Sequence, residues 1–273
     1  MTRLKVWGPY LVMFAIAFLW LIPTLWVAET AFKPDPDIFS IPPRWLPSRL
    51  TTNHVANLFA KWPFWRWLLN SFILALFVTA SSLIVSTLAA FSFARLEWPG
   101  RDAIFLIILA SMFLPLEVSV IPLYFMMINF RLLNTIYGAG LPMIALPIGV
   151  FLLRQFFLNI PRDLEDAARI DGCSSWGVLT RVIIPNSIPV FSAYGMYIFN
   201  YTWNEFLWSL ICLRSVQKIT LPVGLRLIQG AFELNYGLIT AAAFIASLPS
   251  LVVFLILRQR IIRGIALSSG IKG

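Results

Sequence analysis

The chain has 273 residues, 59% hydrophobic and 12% charged, with a mean hydropathy of +0.82. A soluble domain cannot hide that much apolar surface, so the composition indicates an integral membrane protein and excludes an ordinary soluble enzyme. The net charge is +9, but the cations are scattered through loops. They suit anchors to anionic lipid beside membrane spans, and no nucleic-acid partner is expected.

Six segments are long enough to cross a bilayer as helices, giving an all-α fold expected to form a single transmembrane domain over residues 1–273. They cover about 10–32, 67–94, 103–127, 136–158, 188–213 and 236–257. The first follows MTRLKVW without a small-residue cleavage site, so it is expected to be a retained helix. A loop rich in Pro and Trp comes next, with Trp62, Trp65 and Trp67 placed for a membrane interface. The lone histidine, His54, lies in this loop without Cys or His neighbours, which argues against a metal or catalytic role. In the third span Glu117 follows Pro115. Either it lines a polar route or it pairs with an arginine or with carbonyls freed beside the prolines.

Between the fourth and fifth spans lies a polar interval, Pro161 to Pro185, that reads as two short helices. Pro161 fits a first helical position, and Asp163, Glu165 and Asp166 crowd the first turns, where the helix dipole favours anions. Leu164, Ala167, Ala168 and Asp171 share a narrow face, and Gly172 supplies a left-handed stop. Ser174 or Ser175 caps the second helix; Trp176, Leu179, Val182 and Ile183 form its apolar stripe, and Pro185 ends it. Such a hairpin suits another protein's groove; the alternative is a hairpin resting on the membrane surface.

The fifth span contains FNYTWNEFLW, in which Tyr197, Tyr201, Asn204 and Trp208 recur at helical spacing with Asn200 alongside. Amides beside aromatic faces match hydroxyl-rich solutes, whereas the alternative is interhelical polar contacts with interfacial aromatics. Glu205 stands near the outer end of the same span and carries the same two readings as Glu117.

The run Glu165-Asp166-Ala167-Ala168-x-x-Asp171-Gly172, followed by Ile184-Pro185, resembles the EAA loop of ABC-importer permeases, with Cys173 where that family usually has Ala. The likeness extends from about Pro42 to the C-terminus. IPPRWLPSRLTTNHVANLF, Leu69-Asn70-Ser71, Phe93-Ala94-Arg95-Leu96 and Pro99-Gly100-Arg101 are all similar to carbohydrate-type members. So are Leu114-Pro115-x-Glu117-Val118, Ile121-Pro122-Leu123-Tyr124, Leu132-Leu133-Asn134-Thr135 and the terminal Gly270-Ile271-Lys272-Gly273. The whole most resembles the six-span permease of maltose-type importers.

The resemblance implies a coupling helix in which Glu165, Ala167, Ala168, Asp171 and Gly172 engage an ATPase, Glu165 through a cation or amide there. It implies a second permease, two ATPase copies that carry ATP and Mg, an extracytoplasmic binding protein, and a sugar or polyol. The location implied is a bacterial or archaeal cytoplasmic membrane with both termini inside. Cys173 and Cys212 then lie on opposite sides, and no disulfide is expected. No cofactor is expected on this chain: it contains no P-loop motif, and Leu267-Ser268-Ser269-Gly270 is only a superficial match to the ABC ATPase signature. The candidate route is Tyr197, Asn200, Tyr201, Asn204, Glu205 and Trp208. Rival readings are a permease for glycerol phosphodiesters or another small polar solute, a lipid-modifying membrane enzyme, and a passive channel. The enzyme lacks a paired acid and base; the channel needs no such hairpin.

Overall fold

The computed structural model describes residues 2–230 and 235–270, without the side chains of 2–6, 116 and 262–270. Among these residues every regular element is helical. The long helix α1 (Thr2–Thr30) leads into a loop carrying α2 (Asp35–Ile38) and α3 (Asn53–Lys61), then into α4 (Phe64–Arg95). After the left-handed Gly100 come α5 (Arg101–Ser111) and α6 (Val120–Asn129). Next are α7 (Ile136–Gly140), α8 (Pro147–Leu158), α9 (Arg162–Ile170), α10 (Ser175–Val178) and α11 (Ile184–Asn186). The remainder is α12 (Ile188–Trp203), α13 (Leu207–Cys212), α14 (Leu221–Gln229) and α15 (Tyr236–Gly270).

Three helices, α1, α4 and α15, are long and apolar enough to cross a membrane unaided. At about 1.5 Å per residue, the 32 residues of α4 exceed the roughly 30 Å hydrocarbon core. The other expected spans are broken where the sequence places proline or a polar cluster. The third divides into α5 and α6 around Pro115, which is extended (φ −67°, ψ 143°) and leads into a 3₁₀ turn over Leu116–Ser119. The fourth bends by 48° between Ile136–Met143 and Pro147–Leu158. The fifth stops at Trp203 and restarts at Leu207, so residues 188–213 are two helices and not one. α14 was not anticipated, because LPVGLRLIQ reads as a loop between spans.

The chain packs as two compact units, residues 1–65 with 224–248, and 66–223 with 249–273. In the first unit the Pro/Trp loop is held by buried charges. Lys33, 1% exposed, lies 2.9 Å from Glu29 Oε1, donates to the Arg44 carbonyl at 2.6 Å and sits over the Trp26 ring. A ring nitrogen of His54 meets the Lys33 carbonyl at 2.8 Å, so this histidine is a buried packing residue. Asp37 Oδ2 accepts from Ser48 N at 2.7 Å and Oδ1 from Arg44 at 3.0 Å. The apolar window of α1 contributes none of its residues to the interior of the chain.

In the second unit α4 is the central strut. Its Ser82 hydroxyl pairs with Tyr194 at 2.6 Å, and α8 approaches through Gly149, where any Cβ would overlap the Tyr194 hydroxyl. Trp67, placed by the sequence at a membrane interface, is instead fully buried and donates to the Val216 carbonyl at 2.7 Å. Asn70 donates to the carbonyls of Gln217 and Ile219, both at 3.0 Å. Asn134, left-handed at φ 57°, accepts from Arg214 N and Ser215 N at 3.1 Å and donates from its own N to the Cys212 carbonyl at 2.8 Å. Two asparagines therefore satisfy four backbone groups of segment 213–221, the amides of Arg214 and Ser215 and the carbonyls of Gln217 and Ile219. Cys173 and Cys212 are both free.

The Ser48 hydroxyl and amide, with the Arg44 side chain, hold the Asp37 carboxyl below its ordinary range. A depressed carboxylate stabilises the fold above its unfolded value and loses that contribution as the pH falls through the folded one. Asp37→Asn is therefore expected to speed amide exchange of segment 37–48 at neutral pH. The gap between variant and parent, corrected for intrinsic exchange, should close below about pH 4.

Candidate functional site

The polar interval forms the expected helical hairpin. Pro161 is the N-cap of α9 in extended geometry (φ −57°, ψ 134°), one position earlier than the sequence suggested. Asp163 and Glu165 occupy the first turn and Arg169 the last, so the charges complement the helix dipole at both ends. Gly172 takes φ +82°, and Cys173 N reaches back to the Ala168 carbonyl at 2.9 Å, the Schellman arrangement. Ser174 then caps α10 by accepting from Gly177 N at 3.3 Å.

Pro185 does not end this second helix. A π-helical turn over Leu179–Ile183 carries the chain into α11, which runs through Pro185 to Asn186 before α12 turns away by 78°. The wider turn shifts the hydrogen-bond register just ahead of a residue with no N–H to give. Of the expected apolar stripe, Leu179 and Ile183 are buried while Trp176 stands 65% exposed.

The hairpin's outer surface is formed by Leu164, Asp166, Ala167, Ile170, Asp171 and Gly172, all exposed. Glu165 is the exception. It is 6% exposed, and its Oε1 lies 2.5 Å from Arg95 Nε in this same chain. The carboxylate expected to meet a cation or amide on an ATPase has an internal cation in this chain. Burial pushes its carboxyl above the usual range, opposed by the charges of Arg95, Arg169 and Arg162. Two arginines on its own helix and one on α4 thus counter the cost of taking the carboxylate out of water.

The aromatic stripe is only partly a lining. Tyr194, Tyr197 and Tyr201 stack in succession, with ring centroids 6.3 and 6.2 Å apart and planes within about 21° of parallel. Tyr194 is buried at one end, Tyr197 is 46% exposed, and Tyr201 is half-buried. Asn200 donates to the Met196 carbonyl at 3.1 Å, and the exposed Asn204 donates to the Asn200 carbonyl at 2.8 Å. Those four residues, Tyr197, Asn200, Tyr201 and Asn204, run along α12 to its end.

Trp208 and Glu205 belong to the break instead. The helix stops at Asn204, so Trp208 is not in line with the stripe. It is fully buried and donates from Nε1 to the Gly138 carbonyl at 3.0 Å. Glu205 caps α13: Oε1 accepts from Trp208 N at 2.6 Å, and Oε2 accepts from Ser209 N at 2.9 Å and from its hydroxyl at 2.6 Å. Glu117 is exposed in its 3₁₀ turn. Sequence reasoning passed over Tyr194, whose spacing of three from Tyr197 places it on the same stripe. It also read Arg95 only as a charge beside a span.

Residues 82–266 match the family described as binding-protein-dependent transport system inner membrane component. The chain belongs to that family. It is thus a multi-pass inner membrane protein and a transport component, not an enzyme, of a system that works with a binding protein. It is 36% identical to the arabinooligosaccharides transport system permease protein of Bacillus subtilis over 210 residues, 77% of this chain and 74% of that one. To the sulfoquinovosyl glycerol transport system permease protein of Agrobacterium fabrum it is also 36% identical, over 256 residues, 93% and 89% of the two chains. Its fold is that of a chain from a bacterial ABC transporter that imports alginate, with a TM-score of 0.82 at 20% identity over 95% of this chain and 98% of that one.

Two substitutions separate structural residues of this component from lining ones. Trp208→Ala removes a buried indole and orphans the Gly138 carbonyl, and is expected to cost about 3–5 kcal/mol, seen as a large fall in detergent melting temperature. Gly172→Val has open space for its side chain but must hold φ +82°, a strain of about 1–2 kcal/mol or more. It should leave the melting temperature of the membrane helices unchanged while shifting the hairpin turn, read by protease cleavage between residues 170 and 176.

Proposed function

We propose that the chain is one of two membrane subunits of an ATP-driven ABC importer for oligosaccharides or related polyols. The partners in this reading are a second permease, two copies of an ATPase that hold ATP and Mg, and a substrate-binding protein outside. Both termini and the hairpin face the cytosol, and Lys and Arg beside the spans meet anionic lipid. The observation that carries the reading is the hairpin surface. Ala167, Asp171 and Gly172 are exposed beside Leu164 and Ile170, which are 47% and 86% exposed. Apolar side chains at the tip of a polar hairpin favour a protein groove over water.

The carbohydrate assignment draws on two relatives named for glycosides and on the chemistry of α12. Exposed tyrosine faces pack against the C–H faces of a sugar ring, and carboxamides both donate and accept, as sugar hydroxyls do. From Tyr194 to its last residue, Trp203, α12 rises roughly 14 Å at 1.5 Å per residue, enough to follow a disaccharide through about half of the hydrocarbon core. Closure of the ATPases moves the hairpin, and the spans rock from inward-facing to outward-facing around this stripe. ATP chemistry stays on the partner.

The test is uptake by the complete transporter in vesicles with its binding protein present. Tyr197→Ala and Asn204→Ala are each expected to lower the uptake rate up to about tenfold, with the complex intact and its melting temperature within about 2 °C of the parent. Unchanged uptake in both variants would take α12 out of the route. A supply of glycerol phosphodiester that drives uptake better than any glycan would move the substrate class to phosphorylated polyols.

A further inference from the structure

Helix α9 has one buried residue, Glu165; every apolar side chain it carries faces outward or is only half covered. A short helix attached to a bundle ordinarily docks through an apolar stripe. Here the one buried side chain of the helix is ionic, and it is paired with Arg95.

Arg95 closes the 32-residue α4, and its side chain is 3% exposed. One terminal nitrogen donates to the Phe157 carbonyl at 2.6 Å and to the Ile160 carbonyl at 2.8 Å, while Nε faces Glu165 at 2.5 Å. The two carbonyls belong to the last turn of α8 and the residue before Pro161. Pro161 has no N–H with which to continue the helix; the Phe157 carbonyl accepts from Ile160 N at 3.0 Å as well as from Arg95, and the Ile160 carbonyl accepts from Arg95. A single planar guanidinium, with donors in a fixed fork, thus joins the end of α4, the end of α8 and the first turns of α9. Beside it Arg154 donates to the Phe93 carbonyl at 3.2 Å and lies over the Phe105 ring at 4.1 Å, tying α8 to α4 and α5.

We propose that Arg95 is the positioning residue through which movement of the hairpin reaches the membrane helices, with Glu165 as its anchor point on α9. The proposal rests on the transporter reading above. The pair persists through the cycle, so that α9 and the adjoining ends of α4 and α8 move as one body. The acids presented to the partner are then Asp163, Asp166 and Asp171, which are all exposed. A charged link serves where an apolar one would slide, because two carbonyls orient the guanidinium by hydrogen bonds and the carboxylate holds it by charge.

The experiment uses the complete transporter in nanodiscs, with a nitroxide on Cys173 at the hairpin turn. Two quantities are read: the stimulation of ATP hydrolysis by loaded binding protein as a ratio to basal, and the nitroxide mobility. The parent is measured first. Absence of stimulation there would refute the transporter reading and leave the geometry of the link standing. With stimulation present, Arg95→Gln and Glu165→Gln should each lower the ratio at least fivefold and raise nitroxide mobility, with the ATPase still bound. Arg95→Glu combined with Glu165→Arg should recover at least a third of the parental ratio and slow the nitroxide again, which a loss of general stability would not do. Should Arg95→Gln fail to assemble, Arg95→Lys, which keeps the charge and loses the fork, should assemble with an intermediate ratio. Parental stimulation and mobility in Arg95→Gln and Glu165→Gln, a swap no better than the single variants, or a parental ratio in Arg95→Lys would each overturn the link.

Discussion

A chain this apolar that interrupts its own helices must satisfy the freed backbone groups from within, because hydrocarbon supplies no water. That requirement organises the second unit. Where α8 ends, Arg95 takes two carbonyls; where α12 ends, Glu205 takes the first amides of α13. Where α13 ends, Asn134 takes two amides of the following segment, and Thr135 caps α7 next to it by accepting from Gly138 N at 3.0 Å. At these three joints a polar side chain takes the freed groups, from a distant part of the chain in the case of Arg95 and Asn134 and from the break itself in the case of Glu205. The breaks are therefore defined joints and not loose loops, and the polar residues inside the apolar region are mostly their fastenings.

The same accounting divides the acidic residues by role. Glu205 and Glu165 spend their oxygens on a cap and on an arginine, whereas Asp166 and Asp171 remain at the surface. Two carboxylates one residue apart on α9 are thus assigned to opposite jobs by the helix's 100° step: one faces the bundle and the other faces away. Sugar chemistry is left to Tyr197, Tyr201 and the two asparagines, which sit between the buried Tyr194 and the joint at 204–206.

Much of this was legible in the residues themselves. Length and apolarity gave α1, α4 and α15, and the dipole-matched acids, Gly172 and Ser174 located the hairpin within a residue. The misreadings share one cause, which is that periodicity carries no information on distant partners. A single hydrophobic run from Ile188 to Leu213 hides the stop at Asn204, because a carboxylate cap looks on paper like a polar residue in a span. Pro185 reads as a terminator until a π turn absorbs it. Arg95 reads as a flank charge because its two carbonyl acceptors and its carboxylate partner lie 62 to 70 positions further on. Trp67 reads as interfacial for the same reason, its acceptor being 149 positions away.

Helix α1 buries nothing of its apolar window within the chain. Side chains without fixed neighbours are under no demand for shape, only for oiliness and length. As far as this chain's own fold is concerned, the composition of residues 7–25 matters more than their order, and this stretch can accept exchanges among Leu, Ile, Phe, Val and Trp at little structural cost. The tightly apposed Gly149 and Tyr194 lie at the other extreme, where a single methyl group is already too much. So far as its own fold decides, one polypeptide therefore joins a segment tolerant of exchange to a core that is not.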